Sequence, residues 1–305
     1  MSFLISTPYN GIKVLDLHDY SMSKEFLRGS GSIDKIIHFE NDTRYLIIVR
    51  GNIIELYKWT REFKLIKQWR NNVMNDKDKL LDVGIIENQY LYSCSVNGEF
   101  KFRDLINDDI SSSYKSTILN SPIECLKVTR NLDFRILHGG KNNKVRCVSL
   151  DEPPKIFNPK EFNIPRFKNL NVEWTRSVEI WNDYTITGNQ WGQIKIVKDE
   201  REEKFKISDF PITALHIHKN LLIFNDLIFK IGIINLKTMK LINQFTFDGP
   251  IKQSLVYYRS GPIYFIYTTF DNKFKVLKLF NNNKTKLVHD IQFDFDLCFE
   301  LLKWH

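Results

Sequence analysis

The side chains best suited to chemistry are two neighbouring histidines and two close pairs of aspartates. His216 and His218 stand two residues apart in the segment LHIH, so a strand would place both imidazoles on one face, where they could bind one metal ion. No Cys or carboxylate stands nearby at ligand spacing, which favours ordinary strand histidines. The pairs Asp108–Asp109 and Asp294–Asp296 come without any sign of a pocket, and this is weak evidence for acid–base catalysis.

Motifs for nucleophilic, phosphate and zinc chemistry are missing from the sequence. GxSxG, P-loop and glycine-rich phosphate-binding motifs do not occur, and the glycines of RGSGS at residues 28–32 indicate only a turn. The four cysteines form no CxxC pair, so neither a zinc knuckle nor a disulfide framework is expected. The sequence therefore predicts a non-enzymatic protein with no catalytic residues, no metal site and no cofactor.

Composition excludes several classes of protein. The 305 residues are 43% hydrophobic and 13% aromatic, which is enough for a full buried core and unlike disordered chains. No apolar run approaches the roughly 18 residues of a membrane helix, and the start MSFLISTPYNG lacks the features of a secretory signal, so we expect an intracellular protein without a membrane span. The formal net charge of +8 favours an acidic partner such as nucleic acid.

Short segments rich in Ile, Val, Phe, Tyr and Leu recur along the whole chain between Asn, Asp, Gly or Pro residues, a pattern typical of β-strands. After Pro211, four such segments follow one another: ITALHI, NLLIFND, FKIGIINL and KLINQFTF. After Pro250, the same order repeats in IKQSLVYY, IYFIYTTF, KFKVLKLF and KLVHDIQF. The sequence therefore predicts an all-β protein built from repeated four-stranded units, as in a solenoid or a propeller.

The length of the repeat distinguishes between these architectures. Successive units begin 48, 42, 55, 34, 39 and 46 residues apart, with a mean of 44. The four-stranded blades of WD40 propellers repeat every 40–45 residues, roughly, whereas kelch blades repeat at about 50. We therefore expect a WD40-like β-propeller. Its first strands are predicted to begin at Ile33, Leu81, Ile123, Val178, Ile212, Ile251 and Leu297.

The two ends of the chain are expected to complete one blade together. Three N-terminal segments, MSFLIST, GIKVLDL and SKEFL, supply three strands before the first complete unit. The segment Leu297–Trp304 follows the last complete unit and supplies the fourth strand. With six complete units, the prediction is a single seven-bladed propeller domain over residues 1–305, closed by the N- and C-terminal strands in a shared blade.

One unit exceeds the mean length by eleven residues and carries a predicted insertion at about residues 153–176. Residues 155–176 contain five basic and two acidic residues, interleaved with Phe157, Phe162, Phe167 and Trp174. The basic residues could neutralise phosphate while the rings stack on nucleobases or anchor in a protein groove. Alternatively, the insertion is a solvated connector between blades, and its rings only pack beneath it. Both the binding loop and the connector remain open.

The same unit and its neighbour carry the motifs of a known family. They read HGGKNNKVRCVSL at residues 138–150, PPKIFNPKEFNIPRFKNLNVEWTRSVEIW at residues 153–181 and TGNQWGQIKIVKD at residues 187–199. The sequence resembles the nucleolar WD-repeat factors of pre-60S ribosome assembly, which share a glycine-glycine-lysine turn, a lysine- and asparagine-rich linker and a following apolar segment. The matching residues are Gly139, Gly140, Lys141, Phe157, Lys160, Asn163, Leu170, Val172 and Trp181.

This resemblance implies a function in large-subunit biogenesis. A member of the family would be a scaffold in the nucleus and nucleolus that binds pre-60S particles, contacts assembly factors and rRNA, and is later removed by an AAA-type ATPase. Two alternatives remain. One is an adaptor subunit of a vesicle coat, a chromatin complex or a ubiquitin ligase. The other is a propeller hydrolase, for which the first strands offer the carboxylates Asp34, Asp82, Glu124 and Glu179 in four different blades.

The expected binding surface combines two turns with the insertion. In a propeller, the turns after the second strands emerge on one face, so the turns at residues 139–143 and 188–192 should be neighbours. Trp191 would offer a flat apolar anchor there, unless it packs into its own blade. The predicted partner- and rRNA-binding residues are Lys141, Asn142, Lys160, Arg166, Lys168, Arg176 and Trp191.

Overall fold

The structure is a computed structural model that describes residues 1–70, 79–96, 99–105, 111–115, 123–130, 134–140, 144–150, 170–171, 174–198, 201–228, 230–247, 249–258, 262–280, 284–295 and 297–302. Within these ranges the chain forms 27 β-strands in seven antiparallel sheets and no helix, which confirms the all-β prediction. The described residues accordingly include no helix long and apolar enough to span a membrane. The chain divides into two compact units: unit 1 is Met1–Thr117, Pro154–Pro159 and Phe293–His305, and unit 2 is Ile118–Pro153 and Lys160–Gln292.

Unit 1 contains three sheets. Its strands are β1 (Ser2–Ser6), β2 (Ile12–Asp16), β3 (Lys35–Glu40), β4 (Arg44–Arg50), β5 (Ile53–Trp59), β6 (Phe63–Arg70), β7 (Leu80–Ile86), β8 (Tyr90–Ser95), β9 (Glu99–Asp104), β10 (Ser111–Lys115) and, from the end of the chain, β27 (Phe299–Leu302). One sheet has three strands in the order β2-β1-β27. The other two have four strands each, in the orders β3-β4-β5-β6 and β10-β9-β8-β7.

Unit 2 contains four sheets of four strands. These are β11 (Ile123–Arg130), β12 (Phe134–Gly140), β13 (Lys144–Leu150), β14 (Leu170–Asn171), β15 (Thr175–Trp181), β16 (Tyr184–Asn189), β17 (Gln193–Lys198), β18 (Arg201–Lys206), β19 (Ile212–His218), β20 (Leu221–Asp226), β21 (Lys230–Asn235), β22 (Lys240–Thr246), β23 (Ile251–Tyr258), β24 (Ile263–Thr269), β25 (Lys273–Leu279) and β26 (Thr285–Gln292). Each sheet takes four consecutive strands in chain order. All seven predicted unit starts lie within three residues of an observed strand start, so the predicted repeat is confirmed.

Burial decreases from the second strand of a sheet to its fourth strand. The second strands β20 (LLIFND) and β24 (IYFIYTT) are mostly apolar, and all residues except one in each strand are buried. The fourth strand β18 (REEKFK) exposes five of its six residues. A strand that is apolar on both faces is stable only between packed neighbours, whereas a strand rich in charges borders solvent. The residue types therefore determine which strands lie inside a sheet and which lie at its edge.

Alternation along the second strands produces a separate apolar cluster on each face of a sheet. Ile47 and Ile48 are adjacent in β4, yet Ile47 packs with Leu91 while Ile48 packs with Leu4. Leu222 and Ile223 of β20 are likewise divided between two clusters, with Ile186 and Phe265 among their respective partners. Because successive side chains of a strand point to opposite faces, a sheet with two apolar faces joins a neighbour on either side.

The three-stranded sheet brings the two ends of the chain together. Strand β27 pairs with β1 in antiparallel register over four residue pairs. At the next residues of the two strands, the Ser6 N–H donates to the Cys298 carbonyl at 2.9 Å, and the Cys298 N–H donates to Ser6 Oγ at 2.8 Å. The predicted pairing of the C-terminal segment with the N-terminal one is thereby confirmed over Phe299–Leu302, while Lys303 and Trp304 lie outside the described residues.

The third N-terminal segment, SKEFL, is predicted to be a strand, but in the structure it forms no strand. Residues 22–26 meet β2 in two isolated bridges, Ile12–Phe26 and Leu15–Met22, and the Ser23 N–H donates to the Val14 carbonyl at 2.9 Å. The Val14 N–H of β2 donates to Ser23 Oγ at 2.9 Å, so a side-chain oxygen takes the place of a backbone carbonyl. Serine side chains that bond to the backbone in this way compete with the regular β-ladder. This sheet consequently has three strands where the sequence predicts four.

The predicted insertion at about residues 153–176 lies mostly outside the described residues, and its C-terminal end is strand. Leu170–Asn171 forms β14, which pairs with β13 as the fourth strand of its sheet. Strand β15 begins at Thr175, where Thr175 and Ser177 are buried. Arg176 is therefore a strand residue and not, as predicted, a residue of the inserted loop.

Candidate partner-binding turns

Three turns between second and third strands share one construction. The first residue of the turn uses its side-chain oxygen to accept the N–H of the residue four positions later, at 2.9, 2.9 and 3.1 Å. The residue three positions later has a positive φ of 58°, 72° and 62°, respectively. The accepting residues are Thr7, Asn189 and Thr269, and the residues with positive φ are Asn10, Gly192 and Asn272. Side-chain oxygens that cap backbone N–H groups, with Asn or Gly at positive φ, are typical of tight turns.

The turn at residues 189–193 is held on several sides. Asn189 Oδ1 also accepts the Trp191 N–H at 3.0 Å. The Lys206 ammonium donates to the Trp191 carbonyl at 2.7 Å. Gly192 lies against the neighbouring chain so closely that a Cβ atom there would come within 2.2 Å of the Ser208 carbonyl oxygen. These contacts fix the backbone of the turn that carries Trp191.

Trp191 is exposed at the tip of this turn, with 55% of its surface accessible to solvent. The alternative in which it packs into its own blade is therefore wrong. Phe270 occupies the corresponding turn after β24 and is 61% exposed. Large rings held on rigid turns contribute contact area to a complex at little cost in conformational entropy.

Both rings lie at one edge of unit 2. In an antiparallel sheet, the turn after the second strand lies beside the start of the first strand. Accordingly, the Gln190 N–H donates to the Trp174 carbonyl at 2.9 Å, and the Phe270 N–H donates to the Pro250 carbonyl at 3.2 Å. The turn between them also joins the next sheet, because its Leu227 carbonyl accepts the Ile251 N–H at 3.1 Å. We call this edge, which carries the turns that follow β16, β20 and β24, the turn edge.

Basic side chains reach the turn edge through β-bulges. The pairing of β15 with β16 shifts between Thr175 and Ser177, which leaves Arg176 as the extra residue of a bulge. The pairing of β23 with β24 shifts in the same way around Lys252, whose side chain is exposed. A bulge redirects the side chain of its extra residue, and each of these bulges adjoins a residue paired with the first residue of a ring-bearing turn, Asn189 or Thr269. Arg176 is partly exposed.

Two of the seven predicted binding residues, Arg176 and Trp191, are thus brought together at the turn edge. The other five lie outside the described residues: Lys141, Asn142, Lys160, Arg166 and Lys168. Phe270 and Lys252 were not predicted from the sequence. The signal for Phe270 is the pattern of a capping residue followed three positions later by Asn or Gly, which Thr269 and Asn272 share with the turn of Trp191.

Gly192→Ala is expected to destabilise the protein by at least about 2 kcal/mol, because alanine would combine an unfavourable positive φ with a clash against backbone. Gly249→Ala is the matched control, since Gly249 has a φ of 81° but no atom within 4 Å of an added Cβ. The control should lose only about 1 kcal/mol. Chemical denaturation measures both variants, and equal losses would contradict the close contact at Gly192.

The histidine pair is engaged with two separate partners. His216 Nε2 lies 2.9 Å from Ser254 Oγ, and Ser254 in turn donates to Asn225 Oδ1 at 3.0 Å, which makes His216 the donor to Ser254. The His218 ring stacks on Tyr258 with a centroid distance of 4.2 Å. Within the described part of the chain, no group of three His, Cys, Asp or Glu side chains could hold a metal ion.

His216 is expected to make stability depend on pH. Burial, with a smaller contribution from the positive charge of Lys127, lowers the pKa of His216 to about 4. As pH falls below about 6.5, the unfolded state takes up a proton that the folded state does not, and stability decreases by up to about 3 kcal/mol at pH 4. His216→Gln keeps a donor for Ser254 and should reduce this loss in denaturation experiments between pH 7 and about 4. An unchanged pH dependence would contradict the burial of His216 as a neutral side chain.

The carboxylates considered for hydrolysis accept hydrogen bonds from, or form ion pairs with, other residues of the protein. Asp34 and Asp82 both line a cavity of about 270 Å³ in unit 1. The Gly51 N–H donates to Asp34, while Asp82 pairs with Lys35 and accepts the hydroxyl of Tyr92. Because Lys35 is in β3 and Asp82 is in β7, this ion pair joins two sheets.

A third carboxylate, Glu179, is largely buried and pairs with Lys127 at 2.8 Å. Its partner lies in β11 and Glu179 itself in β15, so this ion pair also connects neighbouring sheets. The side chain of Glu124 lies outside the described residues. Asp82 and Glu179 therefore link neighbouring sheets, whereas Asp34 bonds to a turn of its own sheet.

Comparison with solved structures agrees with the fold. A computationally designed protein named Ika8 aligns with a TM-score of 0.63 at 10% identity, covering 95% of this chain and 83% of its own. A chain of the mitotic checkpoint complex aligns with a TM-score of 0.64 at 10% identity, covering 88% of this chain and 85% of its own. No family model and no curated protein matches the sequence. Together with the repeated four-stranded sheets, these likenesses show a β-propeller-like fold.

Proposed function

We propose that this protein is a non-enzymatic, seven-bladed propeller scaffold, in which the N- and C-terminal strands share one blade and the turn edge binds partners. The observation that carries the proposal is the exposure of Trp191 and Phe270 on turns of the same construction. Exposed aromatic rings at fixed positions are the usual centres of binding energy in protein interfaces. The basic side chains of Arg176 and Lys252 add attraction for acidic partners.

We further propose that the partners belong to pre-60S ribosomal particles. The resemblance of residues 138–199 to nucleolar WD-repeat factors supports this choice, as does the net charge of +8. Ribosomal particles combine proteins with exposed phosphate, so a surface with both aromatic rings and basic side chains suits them. The protein would then act in the nucleolus by placing assembly factors and rRNA, and an AAA-type ATPase would release it.

Affinity capture of the tagged protein, followed by mass spectrometry, tests the choice of partner. The proposal predicts large-subunit ribosomal proteins and assembly factors in the captured material. Components of a vesicle coat, a chromatin complex or a ubiquitin ligase in their place would assign the protein to an adaptor function and overturn the ribosomal proposal. Capture with Trp191→Ala should recover less of the same partners, whereas Leu287→Ala, which alters an exposed residue of the fourth strand β26, should recover them fully.

A further inference from the structure

A second candidate site lies in unit 1, beneath the turn at residues 7–11. A cavity of about 740 Å³ opens there, which is within the range of about 300–1,000 Å³ for ligand pockets. Its apolar lining includes Tyr9, Met22 and Phe295. Tyr9 is 70% exposed, so a large part of this apolar surface is accessible to a partner. The cavity is therefore large enough, and apolar enough, to take side chains of another molecule.

Charged side chains line the remainder of this cavity. They are Lys13, Lys24, Glu25 and Arg28. The Glu25 carboxylate accepts the Thr7 hydroxyl and pairs with Arg28 at 2.6 Å. The hydrogen bond from Thr7 and the positive charge of Arg28 hold the pKa of Glu25 below its usual value, so this carboxylate is ionised at neutral pH. One of the three positive charges is thus balanced within the cavity, and two remain in excess.

The excess positive charge is accessible. Lys24 is exposed and forms no ion pair with any of the residues that the structure describes. Arg28 is 70% exposed and lies 5.5 Å from the centre of the Tyr9 ring, where the guanidinium interacts with the face of the aromatic system. A carboxylate of a partner could therefore approach Lys24 and Arg28 from solvent while an apolar side chain enters the cavity.

We propose that this cavity binds an acidic peptide segment, with an apolar side chain against Met22 and Phe295 and carboxylates beside Lys24 and Arg28. Charge complementarity favours an anionic ligand, and the apolar lining favours one that also has aliphatic or aromatic side chains. One feature disfavours RNA: Arg28 already covers a face of Tyr9 on which a nucleobase would stack.

The test measures binding of a fluorescent peptide of alternating Asp and Leu residues to the full-length protein. The expected results are saturable binding, loss of binding when every Asp of the peptide is replaced by Asn, and a weakening of about tenfold or more in Lys24→Glu. Lys64→Glu changes the net charge equally at an exposed position of β6 and should bind as the unaltered protein does. Tyr9→Ala should also weaken binding, with Tyr20→Ala as its exposed control.

Several results would overturn this proposal. Equal binding by Lys24→Glu and Lys64→Glu would place the peptide elsewhere, and equal binding of the Asn peptide would remove the role of charge. Displacement of the peptide by oligouridine at lower concentration than by unlabelled peptide would identify the site as one for RNA. Because the cavity belongs to unit 1, none of these results affects the binding proposed for Trp191 and Phe270.

Discussion

A chain that ends at Phe295 is expected to be unfolded under conditions in which the full protein is stable. The deletion removes β27, the buried Cys298 and four larger buried apolar side chains, those of Leu297, Phe299, Leu301 and Leu302. At about 1.5–3 kcal/mol for each buried side chain, the loss is about 6–12 kcal/mol. This is as large as the whole stability of a typical domain, about 5–15 kcal/mol. The deletion would also leave β1 with an unpaired edge.

Circular dichroism during thermal denaturation measures this effect. A chain that ends at Leu302 is the matched control, because it retains β27, and it should melt like the full protein. Phe299→Ala gives an intermediate case, with an expected loss of about 3–5 kcal/mol, since the Phe299 ring is buried against Phe3. If the chain that ends at Phe295 melted at the same temperature as the control, the pairing of β27 with β1 would not support the fold.

The double variant Trp191→Ala/Phe270→Ala is expected to lose partner binding by about 100-fold or more while its stability stays nearly constant. Each ring, as a centre of binding energy, contributes about 2 kcal/mol or more, and every 1.4 kcal/mol corresponds to a tenfold change in affinity. Both rings are exposed in the unbound protein, so their removal should change the free energy of unfolding by no more than about 0.5 kcal/mol.

The matched control for this variant is Leu241→Ala/Leu287→Ala. These two side chains are also exposed and apolar in unit 2, but they lie on the fourth strands β22 and β26. The control should bind partners as the unaltered protein does. Equal losses of binding in both double variants would mean that apolar surface in general, rather than the turn edge, accounts for association.

The strands could be predicted from the sequence because burial on both faces imposes a strong requirement on residue type. Segments such as LLIFND and IYFIYTT contain apolar residues at successive positions, and they form the buried second strands. The shared sheet of the two chain ends was predictable for the same reason, since LCFELL is too apolar to remain exposed. By contrast, SKEFL has a weaker pattern, and there the hydrogen bond from the Val14 N–H to Ser23 Oγ replaces regular pairing.

The binding site was less predictable because it depends on local backbone geometry. Trp191 could be found as an aromatic residue beside a glycine in a turn. Phe270 has no glycine beside it, and its turn depends on Asn272 at positive φ and on the Thr269 side chain. Arg176 reaches the turn edge through a bulge, which adds one residue to a strand without a marked change in hydrophobic pattern.

Sedimentation through a density gradient tests the central proposal most directly. Lysate from cells that express the tagged protein is separated, and the protein is followed across the fractions that contain pre-60S particles. We expect the unaltered protein and Leu241→Ala/Leu287→Ala to sediment with these particles, and Trp191→Ala/Phe270→Ala to remain with free proteins at the top. Absence of the unaltered protein from the pre-60S fractions would contradict a function in large-subunit assembly, and co-sedimentation of Trp191→Ala/Phe270→Ala would contradict binding through the turn edge.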